Sequence, residues 1–370
     1  MSWAIRLGQG AIQSALGDGL AATVRALLDP DWMAPLQATP PFLQGTAAGL
    51  RLGTLDPLRF TPSPAGVQAC LAALAAPLLG PQPEKTWLIL GTSGVLFLGE
   101  YVTDSHTWLG SAGDIADELA RSLGLEPPPL TLSTACSSTA HALLIGGRAL
   151  AQAQYPGVLV VGLEALSPVL IEGFRSLMLL DPRGSRPFDR GRDGMHLGEA
   201  LGGLYLDFPG TRVGRGRWLL GGAQVCAATG PAAQAPDSDA MYSAMAQALM
   251  VAGVDPGAVI AIKAHGLGSF ESDRAEARAL HRLYPRIPPL TSLKGRFGHT
   301  LGASGVLETV AFLACLDAGF IPPAAGFSEM DPDLAVSPLA EPLPARPGFY
   351  LLNFFGFGAS YVSLVVGWFP

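Results

Sequence analysis

The chain has 370 residues, 49% of them hydrophobic and only 14% charged, with a formal charge of −7. A chain so apolar must bury much of itself in a thick core or a subunit interface. It has no basic run, which excludes sequence-independent nucleic-acid binding through a stripe of Lys and Arg.

The N-terminal stretch MSWAIRLGQGAIQSALGDGL lacks the uninterrupted apolar core of a signal peptide. From there the apolar pattern predicts a helix over Gly66–Leu79, a strand over Thr86–Leu90, a helix over Ser137–Ala153 and strands over Val158–Val161 and Gly203–Leu206. A helix over Ser238–Ala252, a strand over Val259–Ile262, a helix over Gly305–Ala318 and a strand over Val362–Val366 follow. Such alternation argues for an α/β layered fold with buried sheets. A composition shift near Asp207–Gly216 divides the chain, giving expected halves of 1–210 and 211–370. Each half carries a small-residue turn before a helix, S133-T-A-C-S-S-T139 and G298-H-T-L-G-A-S-G305. No repeat with a period of 20 to 50 residues is present, which excludes a solenoid. The last twenty residues are uncharged and long enough to span a bilayer. Gly356 and Gly358 interrupt them, however, and the β-branched run after that turn reads as a buried strand, so no membrane span is expected.

The four cysteines, Cys70, Cys136, Cys226 and Cys315, are widely spaced and include no C-x-x-C pair. That argues against a zinc site or a disulfide framework, and fits a reducing cytoplasm. The phosphate loop G-x-x-x-x-G-K-[ST], the G-x-G-x-x-G fingerprint and the G-x-S-x-G elbow are all missing, so nothing requires a cofactor or metal. Cys136, in T131-L-S-T-A-C-S-S-T-A-H-A-L-L144, is open to two readings. It is either a small buried residue or a nucleophile at a helix N-terminus, where unpaired N–H groups would stabilise its thiolate. His265 follows a strand within K263-A-H-G-L-G-S269, and His299 sits between glycines ahead of a helix; both are placed like loop-borne catalytic groups or turn residues. His141 and His281 fall within helical patterns and read as structural or exposed, while His106 and His196 stay open. Only three lysines occur, Lys85, Lys263 and Lys294, so a lysine inside a motif stands out.

Taken in order, T134-A-C-S-S, R186-P-F-D-R-G-R-D-G-M-H-L-G-E199, A264-H-G-L-G-S, K294-G-R-F-G-H-T-L-G-A-S-G-V-L-E308 and N353-F-F-G-F-G358 resemble the motifs of the β-ketoacyl synthases. These are elongating, Cys-His-His condensing enzymes of the thiolase superfamily, and the likeness runs from G8-Q-G-A-I-Q-S-A-L-G17 to the final strand. No cysteine follows Cys315, unlike the thiolases, and His299 stands where initiating synthases carry asparagine. The resemblance implies a five-layer αβαβα fold of two similar halves and an acyltransferase activity. Cys136 would carry the acyl group, and His265 and His299 would stabilise the enolate formed as malonyl-acyl carrier protein loses carbon dioxide. The backbone N–H groups of Cys136 and Phe357 would form the oxyanion hole, with the Phe357 ring as a gate. Lys294 would tune the histidine pair and Glu308 would support it, whereas Glu199, Asp273 and Glu276 look architectural. Substrates would arrive on the phosphopantetheine of an acyl carrier protein, and the enzyme would form a homodimer or a heterodimer with a related subunit.

Three departures from the family pattern stand out. Leu267 replaces a hydroxyl residue that holds the pantetheine arm, leaving Ser269 to make that contact. Ala359 stands for a glycine in the gate loop, where it would stiffen the turn, and Tyr361 stands for an asparagine. They point to a specialised synthase of secondary metabolism. The alternative they keep open is a chain-length-factor-like partner subunit with little activity of its own.

Overall fold

The computed structural model describes residues 4–29, 50, 52–55, 64–93, 97–98, 107–108, 111–210, 213–227 and 237–370; His106 lies outside them. Ten strands form one path through a mixed sheet: β1 (Ile5–Ser14), β2 (Trp87–Gly91), β3 (Leu130–Leu132), β4 (Gly157–Glu164), β5 (Ala200–Asp207), β6 (Gly216–Cys226), β7 (Val259–Lys263), β8 (Leu290–Thr291), β9 (Gly348–Gly356) and β10 (Ser360–Phe369). Their spatial order is β8-β7-β9-β10-β6-β1-β5-β4-β2-β3.

That order contains the same arrangement twice. In β3-β2-β4-β5-β1 the first three strands run parallel and the last two pairings are antiparallel. In β8-β7-β9-β10-β6 the senses are the same. The two five-strand sets meet through an antiparallel contact of β1 with β6, Ile5 opposite Leu219 and Arg6 opposite Trp218.

Helices α1 (Gly19–Leu28), α2 (Pro64–Ala75), α3 (Ala112–Ser122), α4 (Ser138–Ala151), α5 (Pro168–Ser176), α6 (Ser238–Ala252), α7 (Phe270–Leu283), α8 (Lys294–Phe297) and α9 (Ser304–Asp317) accompany these strands. Period-two alternation decides which helices each strand face meets. Leu88 and Leu90 of β2 turn outward onto Leu71 of α2 and Leu119 of α3, while Ile89 turns inward to a core shared with α4 and α9. Leu351 and Phe355 of β9 likewise join α6 and α7, whereas Tyr350, Leu352 and Phe354 face the same inner core. The layers are therefore helix, sheet, helix, sheet, helix, with α4 and α9 in the centre. Because both sheet faces are covered, the strands read as continuous apolar runs. Because α9 is surrounded, only Asp317 among its residues is exposed.

The predicted elements lie where expected, with ends displaced by a few residues. The uncharged C-terminal run is the β9–β10 hairpin, inside the core. Among the described residues no helix is long and apolar enough to cross a membrane.

Candidate active site

Two elbows of the same construction bring the chemistry together. After β3 the chain turns through Ala135, whose φ is +50°, into a short 3-10 turn and then α4. After α8 it turns through Leu301, φ +40°, into another 3-10 turn and α9. A left-handed backbone at a residue with a side chain is strained and persists only where packing holds it. Here the holding contact is between helices. Thr139 Oγ1 of α4 donates to Gly302 O at 2.6 Å and accepts from Val306 N–H at 3.1 Å. The first elbow carries Cys136; His299 stands just ahead of the second.

Cys136, 3% exposed, lies on the wall of a cavity of about 280 Å³ that His265, His299, Leu267, Ser269, Phe357 and Tyr361 also line. Met178, 88% exposed, and Phe270 flank the opening. His265 and His299 approach edge to face, with ring centroids 5.6 Å apart and planes at 87°. The structure thus brings Cys136, His265, His299, Ser269 and Phe357 to one cavity. Lys294 and Glu308 lie behind the histidines.

His265 Nδ1 accepts the Phe355 N–H at 3.2 Å, which leaves Nε2 as the protonated nitrogen. The His265–Gly268 loop is held by carboxylates of α7. Glu276 accepts from the N–H groups of His265 and Gly266, each at 2.9 Å, and Asp273 from those of Leu267 and Gly268. Gly268 has φ +91°, and a Cβ there would sit 2.7 Å from Gly194 O, so the turn needs glycine. Burial pushes Asp273 up to about 6 and raises Glu276, against the pull of these N–H groups. His299 N–H donates to His196 O at 2.7 Å, and His299 Nδ1 lies 3.3 Å from Ser304 Oγ. Its buried Nε2 has no hydrogen-bond partner among the described residues. Burial first, then the charges of Lys294 and Lys263, hold both histidines well below their ordinary pKa. Both are neutral at physiological pH, able to donate one N–H each.

Burial works against the thiolate that the helix N-terminus would favour. Burial, the largest influence, pushes the Cys136 thiol up to about 12, although the Phe357 N–H, Lys294 and its own N–H pull it down. A helix N-terminus favours an anion, but burial of the sulfur penalises it more. The two N–H groups that the resemblance assigns to an oxyanion hole, those of Cys136 and Phe357, both act on the Cys136 sulfur. A Cβ on Gly356 would be 3.3 Å from Cys136 N, so the Gly356–Phe357 peptide runs directly past it.

Behind the histidines, Lys294 Nζ donates to Glu308 Oε1 at 2.7 Å and to His265 O at 3.0 Å. Lys263 Nζ donates to Glu308 Oε2 at 2.6 Å. Burial alone would raise Glu308, but the two lysines outweigh it and hold the carboxyl below its ordinary range. Sequence reasoning missed Lys263, although it opens the quoted K263-A-H-G; the available signal was a lysine closing an apolar strand.

The remaining residues separate clearly. Glu199 accepts from Leu55 and Leu166 N–H, both at 2.9 Å, and takes no part in the cavity. His141 bonds Thr134 Oγ1 at 2.8 Å and His281 bonds Leu334 O at 2.8 Å, as structural histidines do. Ser269 lines the cavity, and its hydroxyl makes no cap bond to α7. Phe357, 39% exposed, rests on Phe174 with centroids 5.7 Å apart. Ala359 adopts φ +58°, where glycine would be unstrained. Tyr361 is buried, and its hydroxyl accepts from Asp237 N–H at 3.0 Å. Among the described residues no cluster of three or more His, Cys, Asp or Glu is placed to hold a metal ion.

Comparisons with known proteins bear on the family and the fold of the chain. The family described as beta-ketoacyl synthase, N-terminal domain, matches residues 95–207, and beta-ketoacyl synthase, C-terminal domain, matches residues 220–328. A non-reducing polyketide synthase of Didymella fabae is 30% identical over 286 residues, 72% of this chain but 11% of that protein. A 3-oxoacyl-[acyl-carrier-protein] synthase 2 of Mycobacterium bovis is 29% identical over 252 residues, 64% of this chain and 60% of that protein. This chain therefore spans about a tenth of the polyketide synthases it resembles. Among solved structures, the ishigamide ketosynthase/chain length factor superposes with a TM-score of 0.82 at 22% identity, covering both chains fully. A ketosynthase in complex with its chain length factor from Xenorhabdus doucetiae gives a TM-score of 0.78 at 24% identity, covering 99% of this chain and 98% of that one. At these identities the structural likeness speaks for the fold.

Proposed function

The chain belongs to the β-ketoacyl synthase family of condensing acyltransferases, and on that premise we propose that it extends an acyl group by decarboxylative condensation with malonyl-acyl carrier protein. Cys136 Sγ attacks the carrier-protein thioester, the pantetheine thiol leaves with the cysteine's proton, and a new thioester forms on the enzyme. Malonyl thioester then binds with its carbonyl oxygen facing His265 Nε2 and His299 Nε2. As carbon dioxide leaves, the bond's electron pair becomes the enolate, which those two N–H groups stabilise. The carbanion attacks the acyl carbon on Cys136, and the Cys136 and Phe357 N–H groups hold the tetrahedral oxyanion until the thiolate departs and is reprotonated. The product is a β-ketoacyl group on the carrier protein.

The observation that carries this reading is the meeting of Cys136, two neutral histidines and two backbone N–H donors at one buried cavity. Neutral imidazole suits the role, because a hydrogen bond to a developing oxyanion is needed and a proton transfer is not. Lys294 and Glu308 support the pair from behind, and Ser269 is the candidate contact for the pantetheine arm. On the same reading the chain works in the cytoplasm, in fatty-acid-like or polyketide biosynthesis, as two halves divided at 210/211. It pairs with a second copy or with a related subunit, as the neighbours described as ketosynthase–chain length factor complexes do.

The test is the intact mass of the protein after incubation with acyl-loaded carrier protein, beside Cys136→Ala, followed by malonyl-dependent elongation. An adduct on the wild type alone, then a β-keto product, is the expected result. No adduct across several chain lengths, with the protein folded, would favour the chain-length-factor-like partner instead.

A further inference from the structure

Lys263 ends β7 with its side chain wholly buried, and none of the steps above uses it. Strand alternation turns Ala261 and Lys263 toward the central helical layer, where the ammonium meets Glu308 of α9. It also donates to Asn353 O at 2.7 Å and lies 3.6 Å from the centre of the Phe354 ring. Lys294 of α8 holds the other oxygen of Glu308, so one carboxylate is divided between two ammonium groups. Glu276 of α7 faces Lys263 across Asn353, whose Nδ2 donates to Glu276 Oε1 at 3.0 Å.

We propose that Lys263 is a positioning residue for the decarboxylating half-reaction, supplying a second positive charge behind the histidine pair and anchoring the β9 segment that orients His265. This rests on the condensation reading above. The charge argument comes from counting. Without Lys263, Glu308 would keep a single ammonium partner, and one of the two positive charges behind the place where an enolate forms would be gone. Stability alone does not call for the second lysine, because Lys294 already pairs with Glu308 and an apolar side chain of similar size would fill the space. The anchoring argument is geometric. Lys263 fixes the Asn353 carbonyl, and two residues along β9 the Phe355 N–H sets the His265 tautomer.

The charge also falls within a workable pH range. Burial, against the opposing pull of Glu308, lowers Lys263 to about 8. The titratable groups facing it are Glu308 from α9, Lys294 from α8, Glu276 from α7 and the two histidines; β9 presents Asn353 and Phe354, which do not titrate. Raising the pH through about 8 removes the ammonium charge, so decarboxylation should weaken there.

The experiment compares wild type with Lys263→Met and the milder Lys263→Gln. It measures decarboxylation of malonyl-carrier protein against pH, acylation of Cys136 by intact mass, and ¹⁵N titration of the His265 and His299 imidazoles. Decarboxylation below pH 8 should drop by about ten-fold or more, an effect of the size seen when a group supporting a reactive centre is removed. Acylation should change far less. The wild-type decline above about pH 8 should vanish in the variants, and both histidines should titrate at higher pH once the nearby charge is gone. Unshifted histidine titrations in a folded variant, or an unchanged alkaline decline, would overturn the assignment. If wild type fails to decarboxylate at all, the condensation reading falls, and the histidine titrations alone then decide whether Lys263 is coupled to the pair.

Discussion

Gly305→Ala offers the sharpest test of how the two elbows are held. A Cβ at Gly305 would lie 2.1 Å from Ala140 N and 2.7 Å from Thr139 C, all backbone of α4, so no side-chain rotation relieves it. Restoring ordinary contact requires α4 and α9 to separate by more than about 1 Å. Overpacking of this kind costs about 1–3 kcal/mol. The separation also strains the two Thr139 hydrogen bonds that link the elbows, each worth about 1 kcal/mol. Better helix propensity returns about 1 kcal/mol, which leaves a net loss of roughly 2–4 kcal/mol. The same shift draws Cys136 away from His299, and a displacement near 1 Å costs on the order of 100-fold in rate. Urea unfolding and malonyl-dependent condensation would read the two effects. Gly173→Ala in α5 is the control, since its Cβ meets nothing within 4 Å and should leave both readouts within error or slightly stabilise. Gly305→Ala with wild-type midpoint and rate would refute the argument that backbone contact between α4 and α9 sets the geometry.

Other outcomes follow from the buried charges. Glu308→Gln leaves Lys263 and Lys294 without their shared carboxylate and should destabilise by about 3–5 kcal/mol near neutral pH; urea midpoints at pH 7 and 9 should show the deficit shrinking as Lys263 loses its proton. Alkylation of Cys136 by iodoacetamide, followed by peptide mass, should rise about ten-fold per pH unit from 7 to 10, because the thiol is pushed up to about 12; a plateau near pH 8.5 would contradict that. His299 is held neutral below its ordinary pKa, so its contribution to stability is present above about pH 6.5 and lost as the pH falls. Wild type should therefore lose more stability than His299→Asn between pH 6.5 and 5, by up to about 1.4 kcal/mol per unit.

Central elements were legible because their chemistry is local. Val158–Val161 and Val362–Val366 are buried on both faces and so read as plain apolar runs, within β4 and β10. β1 and β6 were not recognised, because Gly8, Gly10, Gly221 and Gly222 break up their patterns. Those glycines lie where a Cβ would meet Tyr205 O, Val310, Ala252 and Leu144, contacts that only the folded chain creates. Helix α3 did carry a readable start, the Ser111–Asp114 capping box, but its short amphipathic pattern was passed over. At the site, the order of motifs pointed to Cys136, His265, Lys294 and His299 as a group, and they lie at or behind one cavity. The ionisation of Cys136 and the involvement of Lys263 were illegible for a common reason. Each depends on how deeply the residue is buried and on what residues distant in the chain place against it.

The site divides into a part that is fixed and a part free to change. Backbone N–H groups bonded to Asp273 and Glu276 pin the His265 loop. Glu164, raised by burial to about 7, pins the second elbow by accepting from Gly302 N–H at 2.9 Å and from Ser93. Phe357 is held differently. It begins a three-residue turn, Phe357–Ala359, between the last β9–β10 pair, Gly356 opposite Ser360. Ser137 Oγ ties Ser360 Oγ to the first elbow at 3.0 Å and Ala227 N–H donates to Ala359 O at 3.0 Å, so the turn's feet stay with Cys136 while the exposed Phe357 ring rests on Phe174. On the proposed reading this matters, because one residue supplies both the gating ring and an oxyanion-hole N–H. A swing of the ring confined to side-chain rotation would keep the N–H on the sulfur through both half-reactions. A swing that rotated the Gly356–Phe357 peptide would withdraw it, and admission of the malonyl arm would then weaken the hold on the acyl carbonyl. Ala359, already at a left-handed φ without glycine's freedom, opposes the second kind of motion. On the proposed reading Ala359 thus favours a gate that moves its ring and keeps its peptide in place.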